Sequence, residues 1–298
     1  MKRDFLTLMD ISRDEFEWLL YRASEIKKSH YHDVLPLKDK SIGLLFEQSS
    51  TRTRVSFEVG IYQLGGQAVY LNQIDTQLSR DESVKDTARV LSRYLHGMII
   101  RTISHERLTS FAQHAAIPVI NGLTSLHHPC QALADILTIQ EKKGSVSGLQ
   151  LAFIGEGNNV ANSLIEAASM MGIHMTIACP EGYEPDSEIS ARAMEQGMLE
   201  MVRDPKEASK NADVLYTDVW ISMGQEHEED KIAAFQGFQI NSENLSLAKP
   251  DAIVLHCLPA HLGSEITQDV FYSRQSAVFD QAENRLHIQK ALLEMLVI

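Results

Sequence analysis

The sequence predicts an α/β fold of two lobes, each built on a parallel sheet flanked by helices. Short apolar runs with strand character alternate with helical segments along almost all of the 298 residues, which is typical of parallel sheets covered by helices. The chain is long enough for two domains of ordinary size. A polar, glycine-bearing stretch at residues 141–148 interrupts the alternation, and this favours a domain boundary there.

The elements of the first lobe follow from apolar runs and helical spacing. A first helix is predicted over residues 16–28. Strands are predicted at 42–46, 68–71, 98–101 and 117–120, and helices at 54–64, 83–94, 105–115 and 129–142. We therefore expect a first domain over residues 1–144.

The same alternation restarts after the polar stretch. Strands are predicted at 150–154, 174–178, 214–217 and 253–256, and helices at 161–171, 186–197 and 282–296. In two-lobed α/β proteins a terminal helix often packs back on the first lobe. We therefore expect a second domain over residues 145–281, with residues 282–298 returning to the first.

Composition and charge narrow the class of protein. A net charge of −13 argues against general nucleic-acid binding, which requires a basic face. The three cysteines are too few for a disulfide framework, so a reducing compartment is expected. The N-terminal residues lack the apolar core of a signal peptide, and no apolar run approaches the ~20 residues that span a membrane. These features predict a cytoplasmic protein without membrane or nucleic-acid partners.

The run Ser50-Thr51-Arg52-Thr53-Arg54 lies where the first strand passes into a helix. Ser and Thr in this position are usually only caps, and Arg in a first turn is usually a solvated surface residue. Cations at a helix N-terminus are mildly unfavourable, however. A bound anion explains both guanidiniums better, and hydroxyls, forked Arg donors and free backbone N–H groups together suit a dianionic phosphate.

Polar residues also follow other predicted strands. Active sites in open parallel sheets lie at the carboxyl ends of strands. Besides Ser50–Arg54, the polar positions at such ends are Arg101, residues 155–159, Asp218 and Cys257. Five clusters of this kind favour a functional site along these edges.

His128 and Gln131 lie around the start of a helix in which Pro129 occupies the first turn. The neighbouring His127 and Cys130 invite a metal interpretation, but adjacent side chains diverge and no second ligand pair has zinc spacing. A neutral imidazole at His128 that polarises a carbonyl oxygen is the better hypothesis.

Four further positions have two interpretations each. In Gly155-Glu156-Gly157-Asn158-Asn159-Val160, valine replaces the third glycine of a dinucleotide fingerprint, so NAD binding is rejected. The asparagines either hold a polar small molecule or cap the next helix. Asp218 binds an ammonium group or lies in a surface turn, and Cys257 is a nucleophile or a buried small side chain. Arg285, near a helix start, binds an anion or is solvated.

Together these stretches resemble the aspartate/ornithine carbamoyltransferase family, and they are most similar to its ornithine branch. They follow the family's order and span almost the whole chain. The matching stretches are Ser50-Thr51-Arg52-Thr53-Arg54, His128-Pro129-Cys130-Gln131-Ala132-Leu133-Ala134-Asp135, Asn158-Asn159, Asp218 with Ser222-Met223-Gly224, His256-Cys257-Leu258-Pro259 and Glu283-Asn284-Arg285. Gln48 and Leu262 differ from the Lys and Arg that are frequent at their positions.

The resemblance implies a binding set for carbamoyl phosphate. Its members are Ser50, Thr51, Arg52 and Thr53 on the phosphate with Arg54 in support, Arg101 and His128 on the carbonyl oxygen, Gln131 on the carbamoyl group, the Cys257 and Leu258 carbonyls on its amine with Arg285 near by, and Gln77 lent across a trimer interface. Arg52, Arg101, His128 and Cys257 are its implied catalytic residues.

The resemblance also implies the second substrate and the reaction. Asn159, Asp218, Ser222 and Met223 would hold L-ornithine, with Asp218 on its α-ammonium. The side-chain amine would attack carbamoyl phosphate, giving citrulline and phosphate without a metal or an organic cofactor. The assembly would be a homotrimer or a multiple of trimers. A carbamoyltransferase for putrescine or a related amino acid, and a catalytically silent carbamoyl-phosphate-binding protein, stay as alternatives.

Overall fold

The computed structural model of the chain describes residues 2–29, 35–72, 82–221 and 229–298. The chain forms two compact units, Met1–Ala134 with Glu283–Ile298, and Asp135–Ala282. Each unit is an all-parallel sheet with helices, as the sequence predicts. Among the described residues, no helix combines the length and the apolar character that a membrane crossing requires.

The first unit contains a four-stranded sheet in the order β2-β1-β3-β4. Its strands are β1 (Ser41–Phe46), β2 (Gln67–Asn72), β3 (Gly97–Arg101) and β4 (Val119–Leu123). Its helices are α1 (Arg13–Lys28), α2 (Thr51–Gln63), α3 (Val84–Leu91) and α4 (His105–His114), followed by α5 (Pro129–Lys143). β1 and β3 are almost wholly buried, which explains why they read as continuous apolar runs.

The second unit contains a five-stranded sheet in the order β7-β6-β5-β8-β9. Its strands are β5 (Gln150–Ile154), β6 (His174–Ala178), β7 (Leu199–Val202), β8 (Val214–Thr217) and β9 (Ile253–His256). Its helices are α6 (Asn159–Met171), α7 (Ser187–Glu195), α8 (Pro205–Ser209), α9 (Glu229–Ala234), α10 (Ser242–Leu247) and α11 (Gln268–Phe271). The final helix is α12 (Val278–Val297), and its residues from Glu283 belong to the first unit.

The unit boundaries fall inside helices. The first lies at 134/135, within α5, whereas the predicted boundary lies at 144/145. The glycine-bearing stretch instead ends a helix: Gly144 has a φ of 79° and its N–H donates to the carbonyl of Gln140 at 2.8 Å, the usual geometry of a helix C-terminus. The predicted domain ranges, with their substrate assignments, remain a proposal.

Each sheet has a point where the strand order reverses direction. In the first unit the chain passes outward in both directions from β1 and β3, and in the second from β5 and β8. Open parallel sheets bind ligands beyond the carboxyl ends of the strands at such switch points. The strand order alone therefore predicts a ligand site at the ends of β1 and β3 in the first unit, and at the ends of β5 and β8 in the second.

Candidate functional site

Two clusters of polar residues lie at these switch points, one in each unit. In the first unit, the last residues of three strands are in register: Phe46 of β1 pairs with Arg101 of β3, and Arg101 pairs with Leu123 of β4. The register between β3 and β4 shifts at Arg101, and such irregularities re-aim side chains near functional sites. The loops that follow these strands carry the predicted phosphate cluster and His128.

The phosphate cluster forms the N-terminus of α2. Ser50 is the N-cap, and its hydroxyl accepts a hydrogen bond from the Thr53 N–H at 3.3 Å. Arg54 points elsewhere: its Nε donates to Glu58 at 3.0 Å, and its guanidinium lies 3.7 Å from the centre of the Tyr70 ring. The supporting role of Arg54 at the phosphate, which the resemblance implies, stays a prediction.

Arg285 connects three of the sequence motifs. Its guanidinium is buried and donates to the Gln131 side-chain oxygen and, at 3.2 Å, to the Thr53 hydroxyl. The alternative of a solvated surface arginine is therefore wrong. α12 carries this cation to the starts of α2 and α5, which are distant from it in sequence.

His128 is buried beside several cations. Burial, and then the positive charges of Arg285, Arg101 and Arg52, hold the pKa of His128 well below its ordinary value. The imidazole is neutral at neutral pH and can donate one ring N–H without adding charge. Burial raises the pKa of the nearby Cys130 thiol to about 12, and this thiol donates to the Asn121 carbonyl at 3.4 Å.

Replacing His128 by glutamine should reduce the acid sensitivity of the fold. The unfolded chain binds a proton at this histidine near pH ~6.5 and the folded chain does not, so stability is present above that pH and is lost as pH falls. Between pH ~7 and pH ~5.5 this linkage amounts to about 1 kcal/mol. Urea unfolding of both proteins at these pH values measures the difference, and equal losses would contradict a neutral His128.

The cluster of the second unit lies at the ends of β5, β8 and β9. β8 pairs with β5 on one side and with β9 on the other, and Thr217 is in register with His256. The next residues along β8 and β9 are therefore Asp218 and Cys257, side by side. Gly155 follows β5, and the asparagines after it begin α6.

Asp218 is the centre of this second cluster and is buried. Its Oδ1 accepts from the Cys257 thiol and from the Val219 N–H, both at 2.8 Å, and its Oδ2 accepts from the Asn158 amide at 2.7 Å. A carboxylate has about four acceptor positions, so capacity remains for one further donor. Asp218 is therefore not in a plain surface turn, and the Cys257 thiol donates a hydrogen bond to it.

Asn158 and Asn159 have different positions. Asn158 is the N-cap of α6, and its side-chain oxygen accepts from the N–H groups of Val160 and Ala161. The capping interpretation is therefore correct for Asn158, although its amide also binds Asp218. Asn159 is the first residue of α6.

One group of side chains in the described residues has the spacing of a metal site. Ligand atoms of Asp218, His256 and Cys257 lie within 4.8 Å of one another. Both ring nitrogens of His256 are occupied, however: Nδ1 accepts from the Leu258 N–H at 2.9 Å and Nε2 contacts Glu265 at 3.1 Å. Two ligands remain, which is too few for a protein metal site.

Three predicted site residues, Gln77, Ser222 and Met223, lie outside the described residues. Several residues of the clusters were not predicted from sequence. They are Asn158 as a partner of Asp218, Glu265 as a partner of His256, and Gln281, whose side-chain oxygen accepts from the His256 N–H at 2.9 Å. Of these three residues, only Asn158 could have been singled out from the sequence, because an asparagine after a glycine-rich turn is a possible helix cap.

The helices that begin at these clusters share a feature. Among the described helices, α2, α5 and α6 have no acidic residue in the first turn, whereas every other α-helix has one. Acidic residues favour helix N-termini because they complement the dipole. Their absence at these three starts leaves the positive ends available for anionic groups.

The chain was compared with known proteins and structures. Residues 3–141 match a family model described as aspartate/ornithine carbamoyltransferase, carbamoyl-P binding domain, and residues 147–296 match the Asp/Orn binding domain of the same family. An ornithine carbamoyltransferase from Syntrophus aciditrophicus is 53% identical, with 100% of both chains covered. One from Archaeoglobus fulgidus is 51% identical, covering 98% of this chain and 96% of that protein.

Solved structures agree with these relatives. Ornithine carbamoyltransferase from Pyrococcus furiosus matches with a TM-score of 0.95 at 47% identity, covering 99% of this chain and 97% of that one. The enzyme from Thermus thermophilus matches with a TM-score of 0.93 at 43% identity, covering 100% of both. The similarity therefore extends over both units.

Proposed function

The chain belongs to the aspartate/ornithine carbamoyltransferase family, and we propose that it transfers the carbamoyl group of carbamoyl phosphate to the side-chain amine of L-ornithine. The products are L-citrulline and phosphate. The observation that carries this proposal is the buried Arg285, which holds Thr53 and Gln131 beside a neutral His128. Buried cations beside neutral polar groups suit a small dianion with a carbonyl group.

The first unit holds carbamoyl phosphate in this proposal. Ser50, Thr51, Arg52 and Thr53 offer donors to the phosphate at the start of α2, where no acidic residue competes. Arg101 and His128 donate to the carbonyl oxygen. Because both are buried, their hydrogen bonds act in a low dielectric and strengthen as negative charge develops on that oxygen.

The second unit holds L-ornithine. The remaining acceptor capacity of Asp218 takes the α-ammonium, and the start of α6 with Asn159 suits the α-carboxylate. Ser222 and Met223 belong to the same proposed set. The Cys257 thiol, which donates to Asp218, belongs to the same proposed site.

The reaction then proceeds by addition and elimination. The deprotonated amine attacks the carbonyl carbon, forming a C–N bond and a tetrahedral oxyanion. The C–O bond to phosphate breaks as the carbonyl reforms, and the proton that the nitrogen loses passes to the leaving phosphate. Arg52, Arg101 and His128 stabilise charge on the oxyanion and on the leaving phosphate, so catalysis consists of positioning and electrostatic stabilisation.

A colour assay for carbamoylated product, run side by side with L-ornithine, putrescine and L-aspartate, tests the function. We expect turnover with L-ornithine only. Product with putrescine or another amine would support a related carbamoyltransferase. Binding of carbamoyl phosphate without phosphate release would support a catalytically silent binding protein.

We further propose a cytoplasmic homotrimer, or a multiple of trimers. Support comes from α2, where Val55, Val59 and Tyr62 recur at helical spacing and are exposed, Tyr62 to 79%. Such an apolar stripe on the helix that carries the phosphate cluster suits a contact with a second copy of the chain.

Replacing Tyr62 by aspartate should dissociate the assembly and lower activity. A buried charge at an interface between copies is unfavourable, and residues lent across that interface would be lost. Light scattering after size exclusion gives the mass. Tyr272→Asp is the matched control, since Tyr272 is exposed to 62% in the other unit. An unchanged mass for Tyr62→Asp would exclude this face.

A further inference from the structure

The loop after β9 is held by the ring of His256. The Leu258 N–H donates to His256 Nδ1 at 2.9 Å. A backbone N–H can only donate, so Nδ1 bears no proton and Nε2 bears one. That Nε2–H group points at Glu265 Oε1, 3.1 Å away. The two contacts therefore select a single neutral tautomer of His256.

Glu265 connects the two ends of this loop by contacting both His256 and His261. Its carboxylate is fully buried, and Oε1 also accepts from the His261 N–H at 2.5 Å. Its Oε2 has no hydrogen-bond partner in the described residues. One oxygen thus holds both the imidazole and the backbone of the loop, while the other makes no comparable contact.

A second hydrogen-bond chain fixes the backbone of His256. Its N–H donates to Gln281 Oε1 at 2.9 Å, and the Gln281 amide donates to Asp135 at 2.7 Å and contacts the Tyr216 hydroxyl at 3.1 Å. With the backbone fixed there and the ring fixed by Glu265, His256 has little freedom to turn.

The held segment has an uncommon backbone conformation. Leu258 has a φ of 62°, in the left-handed region that residues with a Cβ rarely adopt. Its N–H bond to His256 is a local interaction that favours this conformation. The same turn determines where the Cys257 and Leu258 carbonyls point.

We propose that Glu265 and His256 are positioning residues that fix the direction of the Cys257 and Leu258 carbonyls, the groups that the resemblance assigns to the carbamoyl amine. This inference rests on the proposed function. It assigns no proton transfer to the pair, because the Cys257 thiol donates to Asp218 and both His256 nitrogens are engaged. The negative charge of Glu265 is therefore dispensable, and its acceptor oxygen is required.

A pair of variants separates these two properties. In Glu265→Gln, Oε1 can still accept from His256 and His261, and the amide nitrogen takes the place of an oxygen without a partner. In Glu265→Leu the acceptor is lost. We expect Glu265→Gln to keep kcat within about threefold, and Glu265→Leu to lower kcat/KM for carbamoyl phosphate by at least about tenfold, because small misplacements of reacting groups have large effects.

Nitrogen-15 NMR of labelled histidines provides a readout that does not depend on activity. The wild-type protein and Glu265→Gln should show the Nε2–H tautomer at His256, assigned from its absence in His256→Asn. Loss of kcat in Glu265→Gln, or an Nδ1–H tautomer in the wild-type protein, would overturn the proposal. A wild-type protein with the Nε2–H tautomer but no turnover of L-ornithine would instead refute the proposed function.

Discussion

Replacing Arg101 by alanine should lower kcat by about two to three orders of magnitude while the chain stays folded. Arg101 ends β3 at the switch point of the first sheet and is buried to 95%, with 5% of its surface exposed. An oxyanion donor in such a site is typically worth about 3–4 kcal/mol in the transition state. Steady-state kinetics with both substrates and circular dichroism of the variant provide the measurement.

Arg93→Ala is the matched control. Arg93 is exposed in the same unit, so its loss should leave kcat within about twofold, as is usual for surface substitutions. Arg101→Ala also removes one of the charges that lower the pKa of His128, so that pKa should rise in the variant. Near-normal turnover of Arg101→Ala would remove Arg101 from the mechanism.

The fold was largely predictable because most of its strands are buried on both faces. β5, β6, β8 and β9 were predicted with the same bounds that the structure shows, since buried parallel strands read as unbroken apolar runs. β7 was missed because it is an edge strand with a polar residue, Glu200, in its middle. The short helices α8 to α11 span four to six residues, too few for a helical period to be recognised.

The site was predictable only where position along the chain implies position in space. Residues at the end of a strand, such as Arg101, or directly after one, such as Asp218 and Cys257, must lie at the carboxyl edge of the sheet. Glu265 and Gln281 follow no strand, and only the folded loop and the start of α12 bring them to His256. Side-chain partners of this kind depend on tertiary packing, which no local pattern encodes.

The largest effect expected in the second unit is that of Asp218→Asn on L-ornithine. A hydrogen bond to a charged group contributes about 1.5–3 kcal/mol, so loss of the ammonium contact should raise the ornithine KM by about one to two orders of magnitude. The carbamoyl phosphate KM should change by less than about twofold. Initial rates with each substrate varied in turn separate the two constants.

Asp218→Asn removes a negative charge and also disrupts the hydrogen bonds around this side chain. In one orientation the new amide nitrogen faces the Asn158 amide, and in the other it faces the Val219 N–H, so a donor opposes a donor either way. Asn158 cannot adapt by flipping, because its oxygen already caps α6. Asp186→Asn is the control, since Asp186 caps α7 and asparagine caps equally well.

A substrate lacking the α-ammonium completes the test. The wild-type enzyme should prefer L-ornithine to 5-aminopentanoate by about the factor by which Asp218→Asn raises the ornithine KM. The same contact is removed in both cases, once by changing the substrate and once by changing the protein. The variant should then discriminate weakly between the two amines. Equal discrimination by the wild-type enzyme and the variant would place the ammonium elsewhere, and a change confined to the carbamoyl phosphate KM would reverse the substrate assignment of the two units.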